Sequence, residues 1–268
     1  MTVDAVRTLP AVHDAGSGPA VLLLHAFPLD ASQWDHQVAA ISGRLRCLRV
    51  DMWGCGSSPA PEGEPSLAAF AGAVLQVLDE RGVERFAACG CSMGGYVIWE
   101  LLRLAPQRLT ALVLCSTRAV GDTDAARDTR EQTARRVLEQ GVESIVEENV
   151  GRLLGMHGQD DVHISDPVRG RIRRCTPQGV AWALRAMAAR PDSTGLLSGI
   201  EVPTLVAAGE EDTVIPSADQ RAMAERIAGA RFVELERCGH LPNLERHPEF
   251  SDVLEGFLAP AAAGDPDT

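Results

Sequence analysis

Short, continuously apolar runs alternate with longer amphipathic ones, and this alternation is the feature that most constrains the fold. Six runs have the length and composition of strands, at residues 19–25, 45–51, 86–91, 110–115, 204–209 and 231–235. Strands that are apolar along their whole length are typical of a parallel sheet covered on both faces. Residues 66–80 have helical spacing, with Ser66 as the N-cap. The sequence therefore predicts an α/β chain with a mostly parallel central sheet flanked by helices.

The alternation stops between residues 119 and 199. Helical patterns alone are found there, at 123–140, 142–154 and 176–189. A helical insertion in such a sheet is expected to form a cap over the carboxyl ends of the strands, where these sheets hold ligands. The predicted organisation is a core of residues 1–118 and 200–258, a helical cap of residues 119–199, and a disordered tail of residues 259–268.

The charged residues exclude several classes of function. The 268 residues include 25 basic side chains, all of them arginine, and 37 acidic ones, which gives a formal net charge of −12. Because a chain this acidic repels phosphate backbones and anionic lipids, nucleic acids and membrane surfaces are poor partners. Because the chain has no lysine, P-loop phosphate binding, pyridoxal-phosphate Schiff bases and lysine nucleophiles are excluded.

Two further features predict a cytoplasmic protein with reduced thiols. Apolar stretches are much shorter than the roughly 18 residues of a membrane span, and the first 20 residues lack the apolar core of a secretory signal. The cysteines are odd in number and scattered, which favours buried, reduced thiols. They are Cys47, Cys55, Cys89, Cys91, Cys115, Cys175 and Cys238.

One motif of the form G-x-S-x-G supplies the candidate nucleophile. It reads Gly90-Cys91-Ser92-Met93-Gly94, at the end of the third predicted strand and before a predicted helix at 94–104. In a strand–turn–helix setting the glycines permit close packing and the sharp turn exposes the serine hydroxyl. Cys91 is the alternative nucleophile, but the residue before such a serine points away from the cleft. We therefore predict a packing role for Cys91.

A serine hydroxyl needs a base, and the base needs an acid to orient it. His240 is the candidate base, since it lies in the loop after the last predicted strand. Asp212 is the candidate acid because it follows the preceding strand at the same carboxyl edge, with Glu210 and Glu211 as the alternatives. The order Ser92, Asp212, His240 is typical of α/β-hydrolases.

Together these motifs resemble the serine α/β-hydrolases, in particular the group of 3-oxoadipate enol-lactonases, small carboxylesterases and cofactor-free haloperoxidases. The resemblance covers the chain apart from the cap and tail. It implies the α/β-hydrolase fold with a helical cap inserted after the sixth strand of the family's topology. By the same similarity His25-Ala26-Phe27-Pro28 matches the family's H-G-F-P loop, with Ala26 in place of glycine. Phe27 N–H and Met93 N–H would then form the oxyanion hole.

The segment 51–58 resembles the family's D-x-R-G-x-G-x-S turn, with Trp53 where arginine is common. Trp53 either lines the site or packs the turn. His25 is predicted to be a structural hydrogen-bonding residue beneath the oxyanion loop. The substrate's acyl or alcohol part is expected to be apolar and small to medium in size. The candidate pocket residues are Trp34, Trp53, Leu154 and Trp182.

Two cofactor signals in the sequence are weak. A group of metal-ligand residue types in the cap has no histidine pair at helical spacing, so we predict a solvated loop there. Its members are His157, Asp160, Asp161 and His163. Gly54-x-Gly56 lacks the third glycine and the following helix of a dinucleotide-binding loop. We therefore expect neither a metal ion nor a cofactor.

The expected reaction is acyl transfer to water. Ser92 attacks the carbonyl of a small-molecule ester or lactone, His240 moves the proton, and Asp212 fixes the imidazole tautomer. Thioester hydrolysis, C–C cleavage and peracid formation use the same triad and stay open. A ligand-binding receptor or a non-hydrolytic biosynthetic cyclase on the same fold also stays open, as does the oligomeric state.

Overall fold

A computed structural model describes residues 8–263 and contains one seven-stranded sheet. The strands are β1 (Val12–Ala15), β2 (Ala20–Leu24), β3 (Arg46–Val50), β4 (Phe86–Cys91), β5 (Leu109–Cys115), β6 (Thr204–Gly209) and β7 (Arg231–Leu235). Their order across the sheet is β1-β3-β2-β4-β5-β6-β7. Only the pair β1 and β3 is antiparallel among these described strands. The mostly parallel α/β sheet predicted from the sequence is confirmed.

All six predicted strands are present, and their burial explains their composition. Every residue of β4 and β6 is buried, so helices cover both faces of the sheet at its centre. In β2, Leu22 and Leu23 are fully buried on opposite faces. Burying each such side chain contributes about 1.5–3 kcal/mol. This explains why the central strands are continuously apolar rather than alternating.

Strand β1 is the one that the sequence did not reveal. It has four residues, of which His13 and Asp14 are polar, and it lies at the sheet edge, where half-exposed side chains are tolerated. Its His13 ring bonds to the Asp51 carboxylate at 3.0 Å. A strand so short and polar carries no apolar run by which to recognise it.

The described helices are α1 (Asp35–Ile41), α2 (Leu67–Glu80), α3 (Met93–Leu104), α4 (Asp124–Gln140), α5 (Val146–Leu153), α6 (Met156–Asp160), α7 (Val162–Arg173), α8 (Pro177–Ala189), α9 (Ser217–Ala224), α10 (Pro242–Glu245) and α11 (His247–Ala263). Ser66 caps α2 as predicted, since its hydroxyl accepts the Ala69 N–H at 3.2 Å. α2 packs against α3, and α1 packs against α11. Among residues 8–263, no helix is long and apolar enough to cross a membrane.

Helices α4 to α8 form the insert between β5 and β6, and α4 packs mainly on α8. We propose that this insert is the cap. The predicted helix at 142–154 is present, as a 3₁₀ turn at Val142–Ile145 that leads into α5. One local expectation in the insert was wrong. Residues 157–163 belong to α6 and α7 rather than to a loop, with Asp161 between the two helices as the cap of α7 through the His163 N–H.

The expectation that all seven thiols are reduced was also wrong. Cys55 and Cys175, 120 residues apart in sequence, form a disulfide. The backbones bearing them meet closely, because Gly54 and Gly179 are in contact and the Thr176 N–H donates to Gly54 O at 2.6 Å. Sequence spacing gives no sign of such a meeting. The remaining cysteines are free and buried, as predicted: Cys47, Cys89, Cys91, Cys115 and Cys238.

The C-terminal segment is helical further than expected. α11 continues to Ala263, into the tail that the sequence predicts to be disordered. The rest of that tail, residues 264–268, lies outside the described residues, as do residues 1–7 of the predicted core.

Candidate active site

Ser92 sits at a sharp turn between β4 and α3. Its backbone has φ 52° and ψ −109°, a left-handed conformation that costs free energy for any residue other than glycine. Glycines around it let the elements close in. A Cβ on Gly90 would lie 2.5 Å from the Gly94 carbonyl group, and one on Gly94 would lie 2.2 Å from Leu24 O. The G-x-S-x-G spacing is therefore a packing requirement of this turn.

The end of β5 holds the Ser92 backbone in place. Ser92 N–H donates to Cys115 O at 2.8 Å, and the Thr117 hydroxyl donates to Ser92 O at 2.8 Å. The Ser92 side chain is half-buried, whereas Cys91 is fully buried against the core. Burial of Cys91 agrees with the packing role predicted for it.

His240 and Asp212 form a buried pair. The distance between His240 Nδ1 and Asp212 Oδ2 is 2.8 Å, and both side chains are at most 1% exposed. Asp212 Oδ1 accepts two amides, from Val214 and Ile215, each at 2.9 Å. Because the Asp212 carboxylate accepts at both oxygens, it is held in one orientation facing the imidazole. Nδ1–H of His240 then donates to Asp212, and Nε2 is left as the basic nitrogen.

The two alternative acids point elsewhere. Glu210 accepts the Arg237 N–H at 2.9 Å, and Glu211 accepts the Met156 N–H at the start of α6 at 2.9 Å. Of the three neighbouring carboxylates, Asp212 is the one that the structure places on His240.

Gln220 is a site residue that the sequence did not indicate. From α9 its Nε2 donates to Asp212 Oδ2 at 3.2 Å and to Ile215 O at 2.8 Å, and the residue is fully buried. It is therefore a second donor on the oxygen that faces His240. A glutamine on an amphipathic helix would ordinarily be read as solvated, so no sequence signal could have distinguished it.

His25 makes the structural hydrogen bonds predicted for it. Its Nδ1 lies 2.9 Å from Ala26 O, and its Nε2 accepts the Met52 N–H at 2.8 Å. Burial lowers the pKa of His25, which favours the neutral ring with its proton on Nδ1. His25 thereby joins the loop after β2 to the loop after β3.

A network of buried side-chain amides also supports the loop after β2, the predicted oxyanion loop. Ala26 N–H donates to Gln33 Oε1 at 2.8 Å, and Gln33 Nε2 donates to Asn243 Oδ1 at 3.0 Å. Asn243 Nδ2 returns a bond to Gln33 O at 3.1 Å. Asn243 lies three residues after His240, so the network ties the predicted oxyanion loop to residues 236–241, the loop between β7 and α10 that we call the histidine loop.

Ser92 and His240 share a cavity of about 320 Å³ beneath the insert. Phe27 lines it as well, and the Phe27–Pro28 peptide bond is cis. Met93 is the first residue of α3, where a backbone amide has no partner within the helix. The convergence of the Phe27 and Met93 amides on one oxyanion position remains a prediction.

Comparison with known proteins matches this architecture. The sequence profile of the alpha/beta hydrolase fold family matches residues 19–247. The chain belongs to this family. A thermophilic esterase from Thermogutta terrifontis, solved with malate bound, superposes on this alpha/beta hydrolase with a TM-score of 0.92 at 34% identity over 94% of each chain. The enol-lactonase of Burkholderia xenovorans LB400 gives a TM-score of 0.87 at 29% identity over 96% of this chain and 99% of that one.

A curated relative extends the comparison in sequence. The pimeloyl-[acyl-carrier protein] methyl ester esterase of Aeromonas hydrophila is 29% identical to this hydrolase over 258 residues, which are 92% of this chain and 98% of the relative. Esterases and enol-lactonases are thus among the relatives of this hydrolase at about 26–34% identity.

The pocket residues expected from the sequence lie elsewhere in this hydrolase. None of the four predicted pocket residues is among the described residues that line the cavity: Trp34, Trp53, Leu154 and Trp182. All four are buried, and Trp53 packs edge-on against the rings of Phe70 and Trp182, at centroid distances of 5.1 and 5.2 Å. Trp53 therefore packs the turn. These large aromatic side chains lie in the core because removing their apolar area from water stabilises the fold more than leaving that area in a solvated cleft.

The cavity wall is more polar than predicted. The insert contributes Arg130 and Arg152 with Glu148, and the core contributes Arg118. Buried Asp122 lies behind this wall and binds three guanidinium groups, at 2.6 to 2.9 Å. They belong to Arg118, Arg130 and Arg190. Burial would raise the pKa of Asp122, but the bonds from Arg190 and Arg130 outweigh it and lower that pKa. Three cations on one carboxylate leave this side of the cavity positively charged.

Proposed function

We propose that this alpha/beta hydrolase is a serine esterase or lactonase that cleaves a small to medium carboxylic ester or lactone through an acyl-enzyme on Ser92. The observation that carries the proposal is the buried His240–Asp212 pair opening on the same cavity as Ser92. A serine on a strained turn beside such a pair is the arrangement that nucleophilic acyl transfer needs.

In the first half of the reaction, Ser92 Oγ attacks the substrate carbonyl while His240 Nε2 takes the hydroxyl proton. The resulting imidazolium is stabilised by Asp212, and the amides assigned to the oxyanion hole, from Phe27 and Met93, stabilise the negative oxygen. Collapse of the intermediate breaks the C–O bond, and His240 returns the proton to the leaving alcohol. Water, activated by the same nitrogen, then hydrolyses the acyl-enzyme and restores the Ser92 hydroxyl.

The positive wall of the cavity favours a substrate with an anionic substituent. Arg152 is the least constrained of the lining arginines, since its Glu148 partner is 3.9 Å away and its side chain is 57% exposed. A carboxylate on the acyl or alcohol part would exchange water for charge-assisted hydrogen bonds there. We therefore expect a carboxylate-bearing ester to be preferred over a neutral one of equal length.

The function is tested with p-nitrophenyl acetate and butyrate and with an organophosphonate. We expect turnover of the esters and labelling of one serine per chain. Ser92→Ala should lower turnover by about 10⁴-fold or more, whereas Cys91→Ser, the matched neighbour, should retain activity. Activity above a tenth of the wild-type value in Ser92→Ala would refute the assignment. Labelling without turnover would instead favour a ligand-binding receptor.

The charge preference is tested by comparing p-nitrophenyl butyrate with the p-nitrophenyl monoester of succinate. Arg152→Gln should reduce the preference for the succinate ester by about tenfold, the worth of one hydrogen bond to a charged group. Arg135→Gln, a 70% exposed arginine on α4, is the control. An unchanged preference in Arg152→Gln would place the anion site elsewhere.

A further inference from the structure

Glu245 joins the insert to the histidine loop through a single carboxylate. It is the last residue of α10, five residues after His240. Its Oε1 accepts the N–H of Gly239, the residue directly before His240, at 2.9 Å. Its Oε2 accepts the N–H of Gly155, between α5 and α6 of the insert, at 2.8 Å. We call this pair of bonds the Glu245 bridge.

Three glycines make the Glu245 bridge possible. A Cβ on Gly239 would lie 2.4 Å from Gly155 N, and a Cβ on Gly155 would lie 2.8 Å from Gly239 N. A Cβ on Gly158 would lie 2.6 Å from Glu245 Oε2. Backbones of the insert and of the histidine loop therefore meet directly, with the carboxylate between them.

The histidine itself is bonded to the insert at the same place. His240 N–H donates to Leu153 O at 2.9 Å, and both residues line the cavity with Ser92. Any shift of the insert relative to Gly239 would move the His240 backbone as well. The backbone bond and the Glu245 bridge thus fix one short segment from two directions.

We propose that the ionised carboxylate of Glu245 positions His240 for catalysis, and that protonation of this carboxylate loosens the histidine loop from the insert. A carboxylate accepts strongly at both oxygens, whereas a protonated carboxyl is uncharged and carries a hydrogen on one of them, so its hydrogen bonds from the amides are weaker. The bridge is then weakened. The inference rests on the proposed function in that it needs His240 to be the base.

The electrostatics place this change near neutral pH. Burial raises the pKa of Glu245 to about 7, with a contribution from the Glu211 carboxylate, against the opposing effect of the amides of Gly155, Gly239 and Leu241. Since this pKa lies above the ordinary value of 4.5, ionisation costs folding stability as the pH rises from 4.5 towards 7. Below about pH 7 the group is protonated, and above it the bridge is complete. A charge kept at a cost in stability is typical of functional sites.

Other charged and titratable groups face Glu245 from each neighbouring element. Glu211 lies in the loop after β6, and Arg246 is paired with Glu249. Cys238 stays neutral because burial raises the pKa of its thiol. The adjacent surface cavity that Glu245 lines also contains His36, His157, Asp161, His163, Arg171 and His247. The experiment must therefore remove the Glu245 titration alone.

Glu245→Gln removes the titration of Glu245 alone, because glutamine keeps the shape of the side chain and is permanently neutral. In the wild type the acid limb of log kcat/KM against pH should approach a slope of two, one more than a single general base gives, because Glu245 must ionise as well. Glu245→Gln should show a slope of one, with kcat at pH 8 lower by about tenfold to a hundredfold from misplacement of the base. Glu249→Gln, a neighbouring exposed carboxylate, should keep the wild-type slope and rate. A wild-type slope of one, or a slope of two in Glu245→Gln, would overturn the proposal.

Two substrate-free measurements separate this proposal from the esterase assignment. Glu245→Gln should be at least as stable as the wild type at pH 8.5, since no charge is buried, whereas a purely structural role predicts lower stability. Amide hydrogen exchange of residues 153–156 and 239–245 should be faster in Glu245→Gln. Faster exchange in a chain that hydrolyses no ester would refute the esterase and retain the bridge. Unchanged exchange would refute the bridge, whatever the activity.

Discussion

Asp212→Asn should leave the fold intact and remove most of the activity, for a reason that the hydrogen bonds specify. Oδ1 of Asp212 accepts two backbone amides, so the single oxygen of asparagine must occupy that position. Its NH₂ group then faces the Gln220 amide, which is a donor, and His240 Nδ1. To accept from this NH₂, the imidazole must move its proton to Nε2, and it can no longer take the Ser92 proton.

The size of the activity loss in Asp212→Asn follows from the wrong tautomer of His240, since the side chain at position 212 stays in place. Replacement of a triad aspartate by asparagine lowers kcat by about 10⁴-fold, or roughly 5.5 kcal/mol of transition-state stabilisation. Both amide bonds at the Oδ1 position survive, so stability should change little. The loss of one bond from Gln220 is expected to cost about 1 kcal/mol.

Steady-state hydrolysis of p-nitrophenyl butyrate and thermal unfolding would be measured for Asp212→Asn and for Asp219→Asn. Asp219 lies exposed on α9, one residue before Gln220, and its variant should match the wild type in both assays. If Asp212→Asn is folded and keeps more than about a tenth of wild-type kcat, the orientation argument is refuted. Glu210 and Glu211 would then need testing as the acid.

Two other predictions concern coupling and packing. Asp212→Ala with His240→Ala should be about as impaired as His240→Ala alone, because the acid acts through the imidazole; fully multiplicative losses in kcat/KM would place Asp212 outside the triad. Gly94→Ala should abolish activity and lower the melting temperature, because its Cβ would lie 2.2 Å from Leu24 O. Gly72→Ala in α2, where a Cβ meets nothing within 4 Å, should stabilise by about 1 kcal/mol, and equal melting temperatures for the two variants would contradict the packing argument.

Those parts of the fold that depend on local pattern were predictable from the sequence. Continuous apolar runs identified β2, β4, β5 and β6 because both faces of those strands are buried. The runs at β3 and β7 were recognisable although these strands are only partly buried, and Ser66 marked the start of α2. β1 was missed because an edge strand of four residues needs no apolar run. α6 and α7 were missed because the histidine, aspartate and glycine residues at 157–163 have the composition of a loop. In the structure Asp161 instead caps the start of α7, where its side chain accepts the His163 N–H.

Features that depend on distant contacts were not predictable. The Cys55–Cys175 disulfide joins segments 120 residues apart, and Gln220 reaches Asp212 only because α9 packs beside β6. Candidate site residues at strand ends were brought together because parallel strands share one carboxyl edge, as for His240 and Asp212. Aromatic side chains were misplaced in the expected pocket because a large apolar residue fits a core as well as a cleft.

The central claim, an acyl-enzyme on Ser92, is tested most directly by trapping the intermediate. Wild-type protein would be mixed with p-nitrophenyl butyrate and quenched in acid within one turnover, and the intact and digested chain would be weighed by mass spectrometry. One butyryl group per chain is expected, located by fragmentation at Ser92 and lost on further incubation at neutral pH before quenching. Ser92→Ala should carry none. A butyryl group on Cys91, or hydrolysis at the full rate with no acylated chain and no initial burst of p-nitrophenol in rapid mixing, would contradict the account.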